Sequence, residues 1–241
     1  MLVKLDNPTA LSKAIEIISE LVTDVRIKVG EYGMSITAMD PANVAMVGFR
    51  LPKSAFSQFE VGTEVLGVNL DSLKKILKRC GTKSNLIFET SENTLLINIH
   101  DRVKRNFSLA LIEIESEDKD MPSLDYSSKV IISSVDLVDS IEDCSVVADS
   151  CSFIVKDSKF VIESKGLNSA RSEFSGDEAN IEAENCKSKY SLEYLKKFAK
   201  GAKLSEKTIL RFANDHPLKV EIRTEGMELD FVLAPRVEMD D

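Results

Sequence analysis

The chain has 241 residues, with 31 Lys and Arg against 40 Asp and Glu, a formal net charge of -9, 43% apolar residues and no tryptophan. That length can bury one large core or two ordinary ones, and the apolar share suits a globular chain. So negative a balance argues against a polyanion coating the whole outer surface, while leaving room for a local basic face.

The N-terminal stretch MLVKLDNPTALSKAIEI contains no apolar run long enough for a signal sequence. No segment reaches the roughly 18 apolar residues of a membrane span, so an intracellular protein without membrane contact is expected. Cys80, Cys144, Cys151 and Cys186 form no CxxC pair and have only His100 and His216 as imidazole companions. They are expected to be small buried thiols, with no metal and no cofactor.

In chain order, a helix over LSKAIEIISEL precedes the alternating strands DVRIKV and GMSITAM, which are separated by the turn EYG. A second helix is predicted over LDSLKKILKRCG, residues 70 to 81, followed by the strands NLIFET and TLLINI around SEN. The stretch EIESEDKDMPSLDYSS lacks periodicity and reads as a connector. After it come a helix over SVDLVDSIEDCSVVA, the strands SFIVKD and KFVIES around KDS, a helix over YSLEYLKKFAKGAK, and the strand LKVEIR after the turn NDHP.

These elements repeat. Shifting by 122 residues superposes Leu70 on Leu192, Leu73 on Leu195, Lys74 on Lys196, Lys75 on Lys197 and Lys78 on Lys200. A shift of 126 superposes Ile15 on Ile141, Glu16 on Glu142, Ser19 on Ser145, Val29 on Val155 and Ile36 on Ile162. Two shifts this close, in the same order, indicate a duplicated unit of about 120 residues that reads helix, strands, helix, strands. The expected organisation is a first copy over residues 1–114, a connecting linker over 115–127 and a second copy over 128–241.

At about 100° per residue, Ile76, Leu77 and Cys80 fall close to Leu73, leaving Lys74, Lys75, Lys78 and Arg79 on the other arc. In the second copy Leu195, Phe198, Ala199 and Ala202 form the apolar stripe, and Lys196, Lys197, Lys200 and Lys203 the basic arc. A solvated helix face usually mixes signs, yet residues 72 to 83 and 194 to 205 contain no Asp or Glu. The recurrence favours a track for a phosphate backbone, and no recognition helix, zinc finger or aromatic stacking pattern accompanies it. Such a surface would hold a duplex without reading its sequence.

The stretches GMSITAMDPANVAMVGFRLP (33 to 52), LGVNLDSLKKILKRCG (66 to 81), PSLDYSSKV (122 to 130) and LDFVLAPRVEMDD (229 to 241) resemble the PCNA family of sliding clamps in its archaeal form, along essentially the whole chain. The resemblance implies an α+β fold of two similar clamp domains, with helices on one face of antiparallel sheets. It also implies a closed ring of three such chains, either self-assembled or built with paralogous chains, around duplex DNA.

The implied role is a non-catalytic processivity factor. It would be placed on DNA by the clamp loader, replication factor C, and would tether DNA polymerase, flap endonuclease and DNA ligase through short aromatic motifs. Head-to-tail closure would pair KRNFSLALIE (104 to 113) with NSARSEFS (168 to 175) of the next chain. On the same resemblance Lys75 and Lys78 face DNA, and Lys74, Arg79, Lys196, Lys197, Lys200 and Lys203 extend that face by their place on the wheel. The second copy's first helix departs from the family in carrying four acids and no base.

The family's partner pocket maps onto Met39, Val44, Met46, Met121, Leu124, Tyr126, Pro217, Val232, Ala234 and Pro235. Methionines adapt their shape and an aromatic lining anchors inserted rings. Acids of the linker (Glu115, Glu117, Asp118, Asp120) and of the tail (Glu238, Asp240, Asp241) would either solvate these segments or guide basic partner tails. Lys156 stands where eukaryotic members carry a modified lysine. A competing reading is a specialised clamp-fold scaffold outside replication. An enzyme finds no support, since there is no glycine-rich phosphate loop, HExxH or GxSxG.

Overall fold

The computed structural model describes residues 1–115 and 119–237. The chain divides into two compact units, the first made of Met1–Pro41, Val47–Met121 and Glu225–Glu228, the second of Ala42–Met46, Pro122–Thr224 and the segment from Leu229 onward. The division at Met121 falls inside the aperiodic connector.

The first half of the chain runs β1 (Leu2–Leu5), α1 (Thr9–Ile18), β2 (Asp24–Gly30), β3 (Gly33–Met39), β4 (Ala45–Pro52), β5 (Gln58–Glu60), β6 (Glu64–Asn69), α2 (Leu70–Leu77), β7 (Asn85–Ser91), β8 (Thr94–His100) and β9 (Lys104–Ala110). The second half repeats the order as β10 (Ser128–Ser133), α3 (Ser134–Val147), β11 (Ser150–Lys156), β12 (Lys159–Lys165), β13 (Ser169–Phe174), β14 (Ala179–Ala183), β15 (Cys186–Ser191), α4 (Leu192–Ala202), β16 (Lys207–Phe212), β17 (Leu218–Thr224) and β18 (Met227–Leu233). The duplication read from Leu70 and Leu192 is therefore a duplication of structure, with both residues opening their helix.

In the first unit an antiparallel sheet is ordered β5-β1-β7-β8-β9, and β2 pairs with both β3 and β6. In the second, one antiparallel sheet is ordered β13-β12-β11-β15, and β10 pairs with both β14 and β16, β16 pairing in turn with β17. Alternation explains the register: Val25, Ile27 and Val29 of β2 are buried while their neighbours are not. The hairpin from β11 to β12 turns on Asp157 and Ser158, at φ 51° and 62°, the left-handed pair that matches strand twist in a two-residue loop.

Helix α1 buries Leu11, Ala14, Ile15 and Ile18 along one stripe and packs against α2; α3 packs against α4. The second unit's core holds an aromatic cluster in which the Phe153 ring lies 5.6 Å from Phe160, 5.5 Å from Tyr190 and 6.0 Å from Phe212. These edge-on contacts add specific geometry to apolar burial. Phe198 of α4 stacks on Phe231 of β18 at 4.4 Å.

One expectation needs correction. The helix predicted over residues 70 to 81 ends at Leu77. Beyond it the Arg79 amide donates to Ile76 O and the Cys80 amide to Leu77 O, so the chain tightens into a 3-10 turn. Leu73 and Leu77 are buried, whereas Ile76, still within the helix, and Cys80, in the tightened turn, are only half-buried.

Candidate nucleic-acid interface and partner groove

Helix α2 starts at Asn69, whose side-chain oxygen accepts the Ser72 amide at 3.0 Å and whose side-chain amide donates to Asp24 at 2.8 Å. Leu70, Leu73 and Leu77 are buried beneath it, which turns its cations outward. Lys75, Lys78 and Arg79 are exposed and Lys74 is half-buried. In the second unit Lys196, Lys200 and Lys203 are exposed and Lys197 is half-buried, over a seam of buried Leu195, Phe198, Ala199 and Ala202.

Acids nonetheless reach these helices from outside the acid-free windows. Lys74 Nζ donates to Asp71 at 2.8 Å and to Ser19 Oγ at 3.1 Å. Lys78 lies 2.7 Å from Glu16 of α1, and Lys203 lies 3.5 Å from Glu142 of α3. Lys197 lies 3.4 Å from Glu193 and 5.0 Å above the Tyr194 ring. The local sequence carries one sign, but the folded face mixes signs, because each lysine helix lies beside a helix that brings a glutamate. Among the described residues no carboxylate lies within ion-pair distance of Lys75, Arg79 or Lys196.

Glu16 and Glu142 were thus missed as members of the basic face. The signal was present, since the repeat superposes them.

The residues expected to form a partner pocket fall in both units. In the first, Met39 ends β3 with its sulfur 3.4 Å from Lys119 Nζ, and Met121 lies close against Gly48. In the second, the Ala234 amide donates to Val44 O at 2.9 Å. Met46 and Val232 are buried, while Leu124, Tyr126, Pro217, Ala234 and Pro235 are half-buried.

The Tyr126 ring meets His216 edge-on at 5.5 Å, and His216 O accepts the Tyr190 hydroxyl at 2.7 Å. Burial, and next the charge of Glu221, push the Tyr126 hydroxyl up to about 12, so it stays protonated as a donor. Its oxygen and His216 Nε2 are buried with no hydrogen-bond partner among the described residues. His216, read from the sequence as part of a turn, meets Tyr126 and is a candidate groove residue that pattern reading did not find.

Glu115 and Asp120 belong to the connector, and Asp120 is exposed. Glu117, Asp118, Glu238, Asp240 and Asp241 lie outside the described residues. Lys156 ends β11 and is exposed. The four cysteines are free thiols, of which Cys144, Cys151 and Cys186 are buried. Among the described residues no group of three or more His, Cys, Asp and Glu could hold a metal ion, and no helix is long and apolar enough to cross a membrane.

The family model for the N-terminal domain of proliferating cell nuclear antigen matches residues 1–122, and that for its C-terminal domain matches residues 120–237. The chain is 36% identical over 243 residues to a DNA polymerase sliding clamp of Thermococcus sibiricus, covering 97% of each. It is 38% identical over 236 residues to one of Pyrococcus horikoshii, covering 94% of each. Among solved structures it superposes on the proliferating cellular nuclear antigen of Entamoeba histolytica with a TM-score of 0.91 at 24% identity, covering 98% of both chains. A chain of the PCNA2-PCNA3 complex of Sulfolobus tokodaii matches with a TM-score of 0.88 at 24% identity, covering 99% of this chain and 100% of that one.

Proposed function

The chain belongs to the proliferating cell nuclear antigen family, and from that membership we propose that it serves as a replication processivity clamp, a ring around duplex DNA that keeps a polymerase on its template. The observation that carries the assignment to particular residues is the lysine helix repeated at matched positions, α2 in one unit and α4 in the other. Contact through Lys and Arg to phosphates gives affinity that is sequence-independent and weakened by salt, which suits a protein that must slide.

Ring closure would use two different strand edges. β9 borders one end of the first unit's sheet and β13 one end of a sheet in the second. Neither is covered along its length: β9 has no buried residue and β13 only Phe174. Pairing β9 of one chain with β13 of the next uses both edges, and three chains joined in this way leave none over.

Partners would dock at the groove around Val44, Tyr126 and Ala234. The orphaned Tyr126 hydroxyl and His216 Nε2 support this reading, because a polar group arriving with a docked peptide would satisfy them. A polymerase, flap endonuclease and ligase would share this groove, and a clamp loader would open the ring.

Primer extension on singly primed circular DNA tests the assignment. Reversing Lys75, Lys78, Lys197 and Lys200 to Glu should abolish stimulation of the polymerase while the solution mass stays that of the unaltered assembly. Stimulation that persists would show that DNA lies elsewhere.

A further inference from the structure

Each unit contains a cleft at the place where the segment after a sheet strand returns along β6 or its repeat β15. In the first unit the Ile112 amide donates to Gly67 O at 2.9 Å; in the second the Arg236 amide donates to Lys189 O at 2.7 Å. Gly67 and Lys189 occupy the same position of the repeat, so the two clefts are structural equivalents.

Their chemistry is opposite. The first cleft, about 560 Å³, is bordered by Glu64, Glu92 and Glu113 and by no Lys or Arg. The chain's own amino terminus is spent on Glu64, at 3.1 Å. The second, about 490 Å³, is bordered by Lys165, Lys187, Lys189 and Arg236 against Glu163 and Asp215. Glu163 is 5% exposed and is already met by Lys165 at 2.8 Å and Arg171 at 2.7 Å. Burial pushes its pKa up, but the hydrogen bonds from Lys165 and Arg171 outweigh that and hold it below its usual value. Arg236 is steadied by Asp149 at 3.0 Å. Lys187 and Lys189 border the cleft from alternate positions of β15.

We propose that the cleft of the second unit binds an acidic peptide segment of a partner protein, whose carboxylates are received by Lys187, Lys189 and Arg236. Neutral donors are in place beside them. Ser152 lies in the cross-strand row between Lys189 and Glu163, and Asn214, whose side-chain oxygen accepts the Lys187 amide at 2.8 Å, also borders the cleft and carries an amide group able to donate. A nucleic acid fits less well, because Glu163 and Asp215 interrupt the basic lining and would repel a continuous run of phosphates. The cleft is a short pocket, whereas a phosphate backbone needs a track. The cleft shares no lining residue with the lysine helices or with the Tyr126 groove, but it borders the groove, since Asp215 and Arg236 are chain neighbours of His216 and Pro235 and the Ser188 hydroxyl donates to His216 O at 3.1 Å.

The test is fluorescence anisotropy with the full-length chain and a short fluorescein-labelled peptide of alternating Glu and Ser. Binding should weaken as salt rises. The double variant K187E/K189E should lose affinity about tenfold or more, while E92K/E113K in the equivalent cleft should match the unaltered chain. Nuclear magnetic resonance of the unaltered chain provides a readout that does not depend on the fold of a variant: the amides of Ser152 and Asn214 should shift with peptide and those of Glu92 and Asn93 should not. The proposal is overturned by equal binding to K187E/K189E, by equal binding of a Lys and Ser peptide, by amide shifts confined elsewhere, or by a thymidine oligonucleotide that displaces the acidic peptide at lower concentration than the unlabelled peptide does.

Discussion

Glu16 of α1 reaches across to Lys78 at 2.7 Å, and its repeat in the second unit, Glu142 of α3, reaches Lys203 at 3.5 Å. All four side chains are about half exposed, so each pair contributes little to stability, roughly 0 to 1 kcal/mol. On the proposed DNA face, each glutamate would compete with a phosphate for the same ammonium group. The double variant E16Q/E142Q should bind duplex DNA a few-fold more tightly in a low-salt titration, with thermal unfolding unchanged. Weaker DNA binding would mean that the glutamates orient the lysines and do not compete for them.

Lys75 and Lys74 are adjacent in sequence and differ in circumstance. Lys75 is exposed with no carboxylate of the described residues within ion-pair distance, whereas Lys74 is tied to Asp71 and Ser19. Lys75→Ala should flatten the dependence of log affinity on log salt by about 0.9 for each phosphate the lysine had neutralised, and Lys74→Ala should leave the slope nearly unchanged. Equal slopes for both variants would contradict this division.

Gly67 of β6 faces the returning backbone so closely that a Cβ there would overlap the Ile112 carbonyl oxygen. Gly67→Ala should therefore cost about 1 to 3 kcal/mol, read as a lower urea midpoint with an unchanged slope. A midpoint within error of the unaltered chain would show that the 111–113 segment moves aside freely.

Glu221 is buried at 7% exposure, with Arg211 at 2.6 Å and Lys219 and Arg223 each at 3.5 Å. Burial pushes its pKa up, but the Arg211 hydrogen bond and the charges of Lys219, Arg211 and Arg223 prevail and leave it below its ordinary value. A carboxyl lowered by folding contributes stability above its unfolded pKa of about 4.3, and that contribution is lost as pH falls through the lower folded value. Unfolding free energy should drop from about pH 5 downward, and Glu221→Gln should be less stable at neutral pH but less sensitive to acid. An acid profile identical to that of the unaltered chain would remove Glu221 from the account.

The groove reading predicts that a variant carrying both Val44→Asp and Ala234→Asp loses binding of an aromatic partner-motif peptide by about tenfold or more, some 1.4 kcal/mol, in titration calorimetry. Unchanged heats would reject these residues as its lining.

Much of the architecture could be read from the sequence because apolar periodicity is dictated by burial. The strand GMSITAM coincides with β3, and the stripe of Leu195, Phe198, Ala199 and Ala202 is buried as the wheel requires. The short strands β5 and β14 left no comparable trace, since QFE and ANIEA bury at most one residue each. The site was half legible. The outward arc of lysines follows from one helix alone, but their partners Glu16 and Glu142 lie tens of residues away and meet them only through helix packing. The groove residue His216 sits in a turn, where no periodicity distinguishes it.

The aromatic cluster around Phe153 has a practical consequence for optical work. With no tryptophan in the chain, ultraviolet emission comes from four tyrosines, and only the exposed Tyr32 lies in the first unit. Tyr190, enclosed beside Phe153, and Tyr126, against His216, both report on the second unit. A denaturation curve followed by intrinsic fluorescence is therefore a record of one half of the chain, and a first unit that melted earlier would pass almost unseen unless backbone dichroism were recorded beside it.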